Sequence, residues 1–170
     1  GLLSFLQRTR KSLIDRVEAA GLKPQLPSLE IFINETSGDF VGRSGQPPWA
    51  AAATKNNRIE LQPFQTLRRR RILETTVRHE LVHFLVDVLG RGRAPRWLAE
   101  GLAIHFAGEG PLVSRYHPSH EISMQEIEQK LANPQSPADM RAAYSAAYAE
   151  VRSLIKREGE TSIWRRVLNF

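Results

Sequence analysis

The chain has 170 residues, of which 41% are hydrophobic and 25% charged, so it is long enough to bury the core of one ordinary domain. No apolar run approaches the roughly 18 residues that a membrane-spanning helix needs, which excludes an integral helical membrane segment. Cysteine is absent, which excludes disulfides and thiolate metal sites and leaves histidine and carboxylates as the good metal ligands.

The first predicted element is a helix that begins at Leu2, because apolar residues recur with helical spacing as far as Ala20. Gly21 and Pro24 then supply a stop signal. The next segment, Leu29–Asn34, is short, β-branched and alternating, which predicts a strand.

The segment that follows the first strand predicts a loop and then a hairpin. Ser37–Gly45 contains several glycines and is interpreted as a loop. A polar break at residues 55–57 separates two further predicted strands, Trp49–Thr54 and Arg58–Gln62, which form the arms of the hairpin.

From residue 67 onward the pattern is helical. Apolar positions follow the 3.6-residue period over Ile72–Leu89, with Gly90 predicted as the C-terminal cap, and Pro95 opens a second helix that ends near Ala107. Later helices begin or end at the signals Ser123 with Glu126, Asn133-Pro134, Ser136-Pro137, Gly159 and Thr161.

This order of elements predicts an α+β fold with a small, mostly antiparallel sheet, followed by a helical C-terminal half. We expect a single domain over residues 1–170, with a helix-and-sheet half at 1–66 and a helical half at 67–170. The chain begins at Gly1 and ends at Phe170 within a predicted helix, so we expect a processed or excised piece of a longer protein.

The net charge of +6 comes mainly from arginines, which are concentrated in the run Arg68–Arg71 and, nearby, at Arg91, Arg93 and Arg96. One interpretation is a solvated helix flank and loop, and the other is a site for nucleic acid. The first is favoured, because no recognised binding motif or aromatic platform accompanies the basic residues.

His79-Glu80-Leu81-Val82-His83 is an HExxH motif on the best predicted helix. Its spacing of four residues points both imidazoles from one helix face toward one ion, and the geometry suits tetrahedral zinc. The alternative is a buried helix with two hydrogen-bonded histidines. That alternative needs several buried polar partners along one strip of a core helix.

A catalytic zinc site requires a third protein ligand. The HExxHxxGxxH arrangement is excluded locally, because Val86 and Leu89 occupy the positions of its glycine and third histidine. Glu100 is the better candidate, since it lies on the next predicted helix in an otherwise apolar stretch. The alternative for Glu100 is a surface position on an amphipathic helix.

The HExxH motif together with the segment Trp97–Ala103 (WLAEGLA) resembles the gluzincin metallopeptidases, which include thermolysin and the aminopeptidase N group. The similarity is greatest to the bacterial group called peptidase MA-like. The resemblance implies a zincin-like fold, Zn²⁺ bound by His79, His83 and Glu100, and Glu80 as the general base. One departure is Ile104, which stands where thermolysin-like sequences have an aspartate that supports a zinc histidine.

The resemblance extends weakly to other segments. The hairpin is similar to the substrate-side strand of peptidase MA-like domains, and Tyr144–Gly159 is similar to the tyrosine-containing helix that follows their site. It therefore implies that Tyr144 donates to the oxyanion, with Tyr148 as the alternate. From the residues alone, the candidates for this donor also include His105, His117 and His120.

The leading functional hypothesis is zinc-dependent hydrolysis of a peptide or protein substrate. A second hypothesis is a catalytically silent zinc-binding scaffold or interaction module, and a third is a nucleic-acid-associated protein that uses the arginine run. Peptidase MA-like domains often follow a signal or anchor segment, so the resemblance implies a bacterial protein in an extracytoplasmic or membrane-anchored location. Substrate, endo- or exopeptidase preference and oligomeric state are left open by the sequence.

Overall fold

The computed structural model describes residues 1–170. Its regular elements in chain order are α1 (Leu2–Ala19), β1 (Glu30–Ile33), α2 (Ser37–Ser44), β2 (Ala52–Lys55), β3 (Arg58–Leu61), α3 (Phe64–Arg69), α4 (Leu73–Gly90), α5 (Arg96–Ala107), α6 (Gly110–Val113), α7 (Met124–Ala132), α8 (Pro137–Glu158) and α9 (Glu160–Val167). A 3₁₀ turn, Ser114–Tyr116, follows α6. The fold is α+β, as the order of predicted elements indicated.

The three strands form a mixed sheet in the order β1-β3-β2, so the prediction of a mostly antiparallel sheet was wrong. Strands β2 and β3 form the predicted antiparallel hairpin, with Asn56 and Asn57 in left-handed conformations at its turn. Strands β1 and β3 are parallel, because the chain crosses back between them through α2 and β2. Because β3 lies between the other two strands, β2 is an edge strand.

The predicted loop at Ser37–Gly45 is mostly a helix, α2, and that prediction was also wrong. Thr36 caps the helix, since its Oγ1 atom accepts a hydrogen bond of 3.0 Å from the backbone N–H of Asp39. Phe40 is fully buried in the protein interior, and Gly45 ends the helix with a φ of 70°. Capping and one buried aromatic side chain outweigh the low helix propensity of the glycines.

Helix α4 is the predicted motif helix, but Gly90 does not cap it. Gly90 is the last helical residue, and Arg91 takes the left-handed capping conformation with a φ of 53°. A Cβ atom on Gly90 would lie 3.2 Å from the Cβ of Ala94 and 3.3 Å from the carbonyl oxygen of Val167. Glycine at this position permits close packing of the chain.

Two carboxylate contacts and one close approach fix the position of α5. Glu128 on α7 accepts hydrogen bonds of 3.1 and 2.6 Å from the backbone N–H groups of Arg96 and Trp97, and so caps the helix from outside. At Gly101 a Cβ atom would lie 2.3 Å from a methyl carbon of Val151 on α8. The glycine therefore lets α5 and α8 pack closely beside Glu100.

One hydrophobic core extends through both halves of the chain. It contains buried residues from α1, the sheet, α3, α4, α5, α8 and α9, and Trp164 is among its largest fully buried side chains. None of the helices is both long enough and apolar enough to cross a membrane. Helices α4 and α5 thus pack side by side in this core. The faces that carry His79, His83 and Glu100 lie against each other.

Candidate metal centre

Three side chains from α4 and α5 converge at one point. His79 and His83 lie one turn apart on α4, and their Nε2 atoms are 3.2 Å apart. Glu100 on α5 places Oε1 at 3.2 Å from Nε2 of His79 and at 2.8 Å from Nε2 of His83. The structure therefore brings together all three of the ligands that the sequence suggested, and the surface alternative for Glu100 is wrong, because its side chain is buried.

The donor set fits a tetrahedral zinc ion. With bonds of roughly 2.0 to 2.2 Å, neighbouring ligand atoms around tetrahedral zinc lie about 3.3 Å apart. Two of the three separations, both 3.2 Å, match this edge length closely, and the third, between His83 and Glu100, is shorter at 2.8 Å. The candidate ligand atoms all lie within 4.8 Å of one another. Two imidazoles and one carboxylate leave the fourth position for water, which is the pattern of a catalytic site.

Glu109 supports the first histidine and was missed by the sequence analysis. Its Oε1 atom lies 2.6 Å from Nδ1 of His79, on the side of the ring opposite to Nε2. A carboxylate that accepts the Nδ1 proton fixes the ring's tautomer and orientation and keeps the Nε2 lone pair free for a metal. Ile104 has no side chain that could make this contact, and Glu109 makes it instead. It follows α5 directly after Gly108, whose φ is 78°.

The carboxylates dominate the electrostatics of this cluster. Burial opposes protonation of His79, but Glu100 and Glu109 outweigh it, so the pKa of His79 lies well above its ordinary value. Burial likewise opposes protonation of His83, and Glu100 raises the pKa of His83 despite it. In the reverse sense, burial is overcome by the two histidines, which hold the pKa of Glu100 well below its usual range. Such a concentration of negative charge around two imidazoles is suited to a cation.

Glu80 lies beside the three ligands but does not belong to their cluster. Its Oε2 atom accepts a hydrogen bond of 2.5 Å from the hydroxyl of Thr54 on the edge strand β2. The side chain is buried and lines the same cleft as His83 and Glu100. Thr54, which the sequence analysis did not single out, therefore holds this carboxylate from the opposite wall.

Tyr144 and Tyr148 have different surroundings, although they lie one turn apart on α8. Tyr144 lines the cleft, and its ring centroid is 6.3 Å from that of His79. Burial and the carboxylates of Glu100 and Glu80 raise the pKa of Tyr144 well above its ordinary value, so its hydroxyl keeps its proton. Tyr148 packs against Gly110, where a Cβ atom would lie 2.2 Å from its hydroxyl oxygen.

The cleft has a volume of about 310 Å³. Its walls come from β2, α4, α5, α7 and α8. Four of the lining side chains are Glu80, His83, Glu100 and Tyr144. The others are Gln46, Ala52, Ala53, Thr54, Ala94, Arg96, Ala99, Leu131, Pro134 and Met140. A smaller cavity of about 210 Å³ adjoins the cleft and shares Thr54, His83, Ala94 and Ala99 with it.

The remaining histidine candidates lie outside this cleft. His105 contacts Glu160 at 3.0 Å between Nε2 and Oε2, on α5 and α9 respectively. His117 and His120 are exposed on the connection between α6 and α7. Tyr144 is thus the oxyanion candidate that the structure places near the cluster.

No protein-family model, curated protein or solved structure matches this chain. The resemblance to gluzincins depends on the sequence segments that carry it, chiefly the HExxH motif and Trp97–Ala103.

Proposed function

We propose that this chain is a zinc-dependent peptidase of the gluzincin type, related to the peptidase MA-like group. In this proposal His79, His83 and Glu100 hold the ion and Glu80 acts as the general base. The observation that carries it is the position of Glu80. A purely structural metal site has no use for a second, separately held carboxylate that lines the same cleft as His83 and Glu100.

A bound zinc ion would lower the pKa of a coordinated water and polarise the carbonyl oxygen of a substrate. Glu80 accepts a proton from the attacking water as the water oxygen bonds to the substrate carbonyl carbon. Glu80 then returns that proton to the nitrogen of the leaving amine as the C–N bond breaks. Thr54 donates to Oε2 of Glu80 and leaves the other carboxylate oxygen free for this exchange.

Tyr144 stabilises negative charge that develops on the substrate carbonyl oxygen. Its buried, protonated hydroxyl is a donor, and a donor aimed at developing charge contributes about 10² to 10³ in kcat. The edge strand β2 offers backbone groups to an extended peptide on the side of the sheet that β3 leaves free. These contributions match hydrolysis of a peptide bond.

The direct test is metal removal and restoration. Protein purified without chelator should contain about one zinc per chain, and a diverse peptide library should be cleaved by this protein but not after dialysis against a chelator. Adding zinc should restore cleavage. The variant with both His79→Ala and His83→Ala should lose its zinc. If it keeps the zinc content of the wild type, the ligand assignment is refuted.

The alternative from the sequence, a zinc-binding scaffold without turnover, makes a different prediction for the same experiment. The protein would contain zinc at the same ratio but cleave no member of the library. A chain that binds no zinc at all would contradict both hypotheses.

A further inference from the structure

Arg96 is a charged residue of the cleft that the ligand cluster and the general base do not use. It is the first residue of α5, is exposed, and lines the cleft on the side of α7 and α8. Its guanidinium forms no salt bridge with any carboxylate of the protein. Arg96 is thus available to a bound molecule.

Glu128 contacts the backbone of Arg96 and forms no salt bridge with its guanidinium. Glu128 accepts hydrogen bonds only from the backbone N–H groups of Arg96 and Trp97, at 3.1 and 2.6 Å. Both carboxylate oxygens are therefore occupied in capping the helix. The cap also fixes the backbone from which the Arg96 side chain extends.

The other charges of the cleft belong to the reaction centre. Glu100 lies against His79 and His83, and Glu80 is hydrogen-bonded to Thr54. The rest of the wall is neutral and consists largely of small or apolar side chains, namely Gln46, Ala52, Ala53, Ala94, Ala99, Leu131, Pro134 and Met140. Arg96 is consequently the one free formal charge with which this wall can select a substrate.

The surroundings of Arg96 strengthen its field. Arg91 and Arg93 lie in the same connection between α4 and α5, are exposed, and form no salt bridge. Arg91 and Arg93 flank Gly92, which lines the cavity that adjoins the cleft together with Lys55 and Asp87. Three arginines without salt bridges thus lie within six residues of the chain, and positive charge of this kind attracts anionic ligands.

We infer that Arg96 selects the substrate by pairing with a carboxylate of the peptide on the α7 and α8 side of the reaction centre. This inference rests on the proposed function, since it names the substrate class of the same cleft. A guanidinium presents two parallel N–H donors that match the two oxygens of a carboxylate. The carboxylate is that of an Asp or Glu side chain or of the peptide's C-terminus.

The test measures peptide binding, so that it does not depend on turnover. Zinc-loaded Glu80→Gln protein is titrated with fluorescent alanine-based octapeptides, acetylated and amidated, that carry one Glu at each position in turn. Matched peptides carry Gln instead. A further pair compares a free C-terminal carboxylate with its amide, which separates the two sources of the carboxylate. The same series is repeated with Arg96→Gln added. A control series adds Arg68→Gln, which removes the same charge from an exposed arginine outside the cleft lining.

We expect the Glu peptide to bind about threefold to fivefold more tightly than its Gln partner at one position, or the free acid more tightly than its amide. The difference should vanish with Arg96→Gln, persist with Arg68→Gln, and shrink at high salt. Equal binding of all pairs, a preference that survives Arg96→Gln, or no binding of any acidic peptide would overturn the inference. Failure of the wild type to cleave any peptide would instead count against the proposed function, and the binding series would still decide the role of Arg96.

Discussion

The Oε1 atom of Glu109 lies 2.6 Å from Nδ1 of His79, and this contact links the turn after one ligand helix to a ligand on the other. It orients the imidazole so that Nε2 faces Glu100 at 3.2 Å and His83 at 3.2 Å. The arrangement of the three candidate ligands thus depends on a carboxylate that is not itself among the three converging groups.

Replacing Glu109 by alanine should lower zinc affinity by about 10- to 100-fold, because the His79 ring loses the acceptor that fixes its orientation. Zinc affinity can be measured by competition with a chelator of known affinity. Glu121→Ala, at an exposed carboxylate between α6 and α7, is the matched control. Equal affinities for the Glu109 variant and the wild type would show that this contact does not orient the ligand.

Thr54→Val should reduce kcat by about 10- to 150-fold while leaving zinc content unchanged. Valine has nearly the shape of threonine but cannot donate to Glu80, and a hydrogen bond to a charged group contributes about 1.5 to 3 kcal/mol. Steady-state kinetics on a cleaved peptide would test this, with the exposed Thr161→Val as the control. A variant with unaltered kcat would mean that Glu80 is held adequately by other contacts.

Tyr144→Phe should lower kcat and kcat/KM together by about 10² to 10³, since it removes a donor that acts on charge formed only in the transition state. Tyr148→Phe, one helical turn away and packed against Gly110, should leave both values unchanged. Zinc content should be the same in all three proteins. If the Tyr148 variant alone is impaired, the roles of the two tyrosines are reversed.

The arginine run Arg68–Arg71 should be dispensable for cleavage of uncharged peptides. All four side chains are exposed and lie at the end of α3 and the turn after it, outside the cleft lining. Replacing all four by glutamine should leave kcat/KM and thermal stability close to those of the wild type. A loss of turnover at unchanged stability would show that the run serves the reaction, and binding of duplex or single-stranded DNA that weakens with salt would support the nucleic-acid hypothesis.

The helices that carry the ligands could be predicted because their signals are local. The spacing of His79 and His83 places both rings on one face of α4, and Pro95 and Gly108 mark the ends of α5. Glu100 stood out because a carboxylate in an apolar stretch needs a buried partner.

The contacts that tune the site could not be predicted, since they join residues distant in the sequence. Glu109 reaches His79 only because α5 runs back along α4 and the chain then turns at Gly108. Thr54 reaches Glu80 only because β2 is the edge strand that packs beside α4. The parallel pairing of β1 with β3 depends on a crossover that contains α2. The glycines of Ser37–Gly45 predicted a loop there, so the crossover helix was not predicted.

The measurement that tests the central claim most directly is a comparison of peptide hydrolysis by zinc-loaded wild-type protein and zinc-loaded Glu80→Gln protein. The substitution removes a base without removing a ligand, and general-base catalysis contributes about 10² to 10⁴ in rate. We therefore expect equal zinc content, equal stability and a loss of hydrolysis of about that size. Hydrolysis by Glu80→Gln at the wild-type rate, or no hydrolysis by the wild type across a diverse peptide library, would contradict the claim.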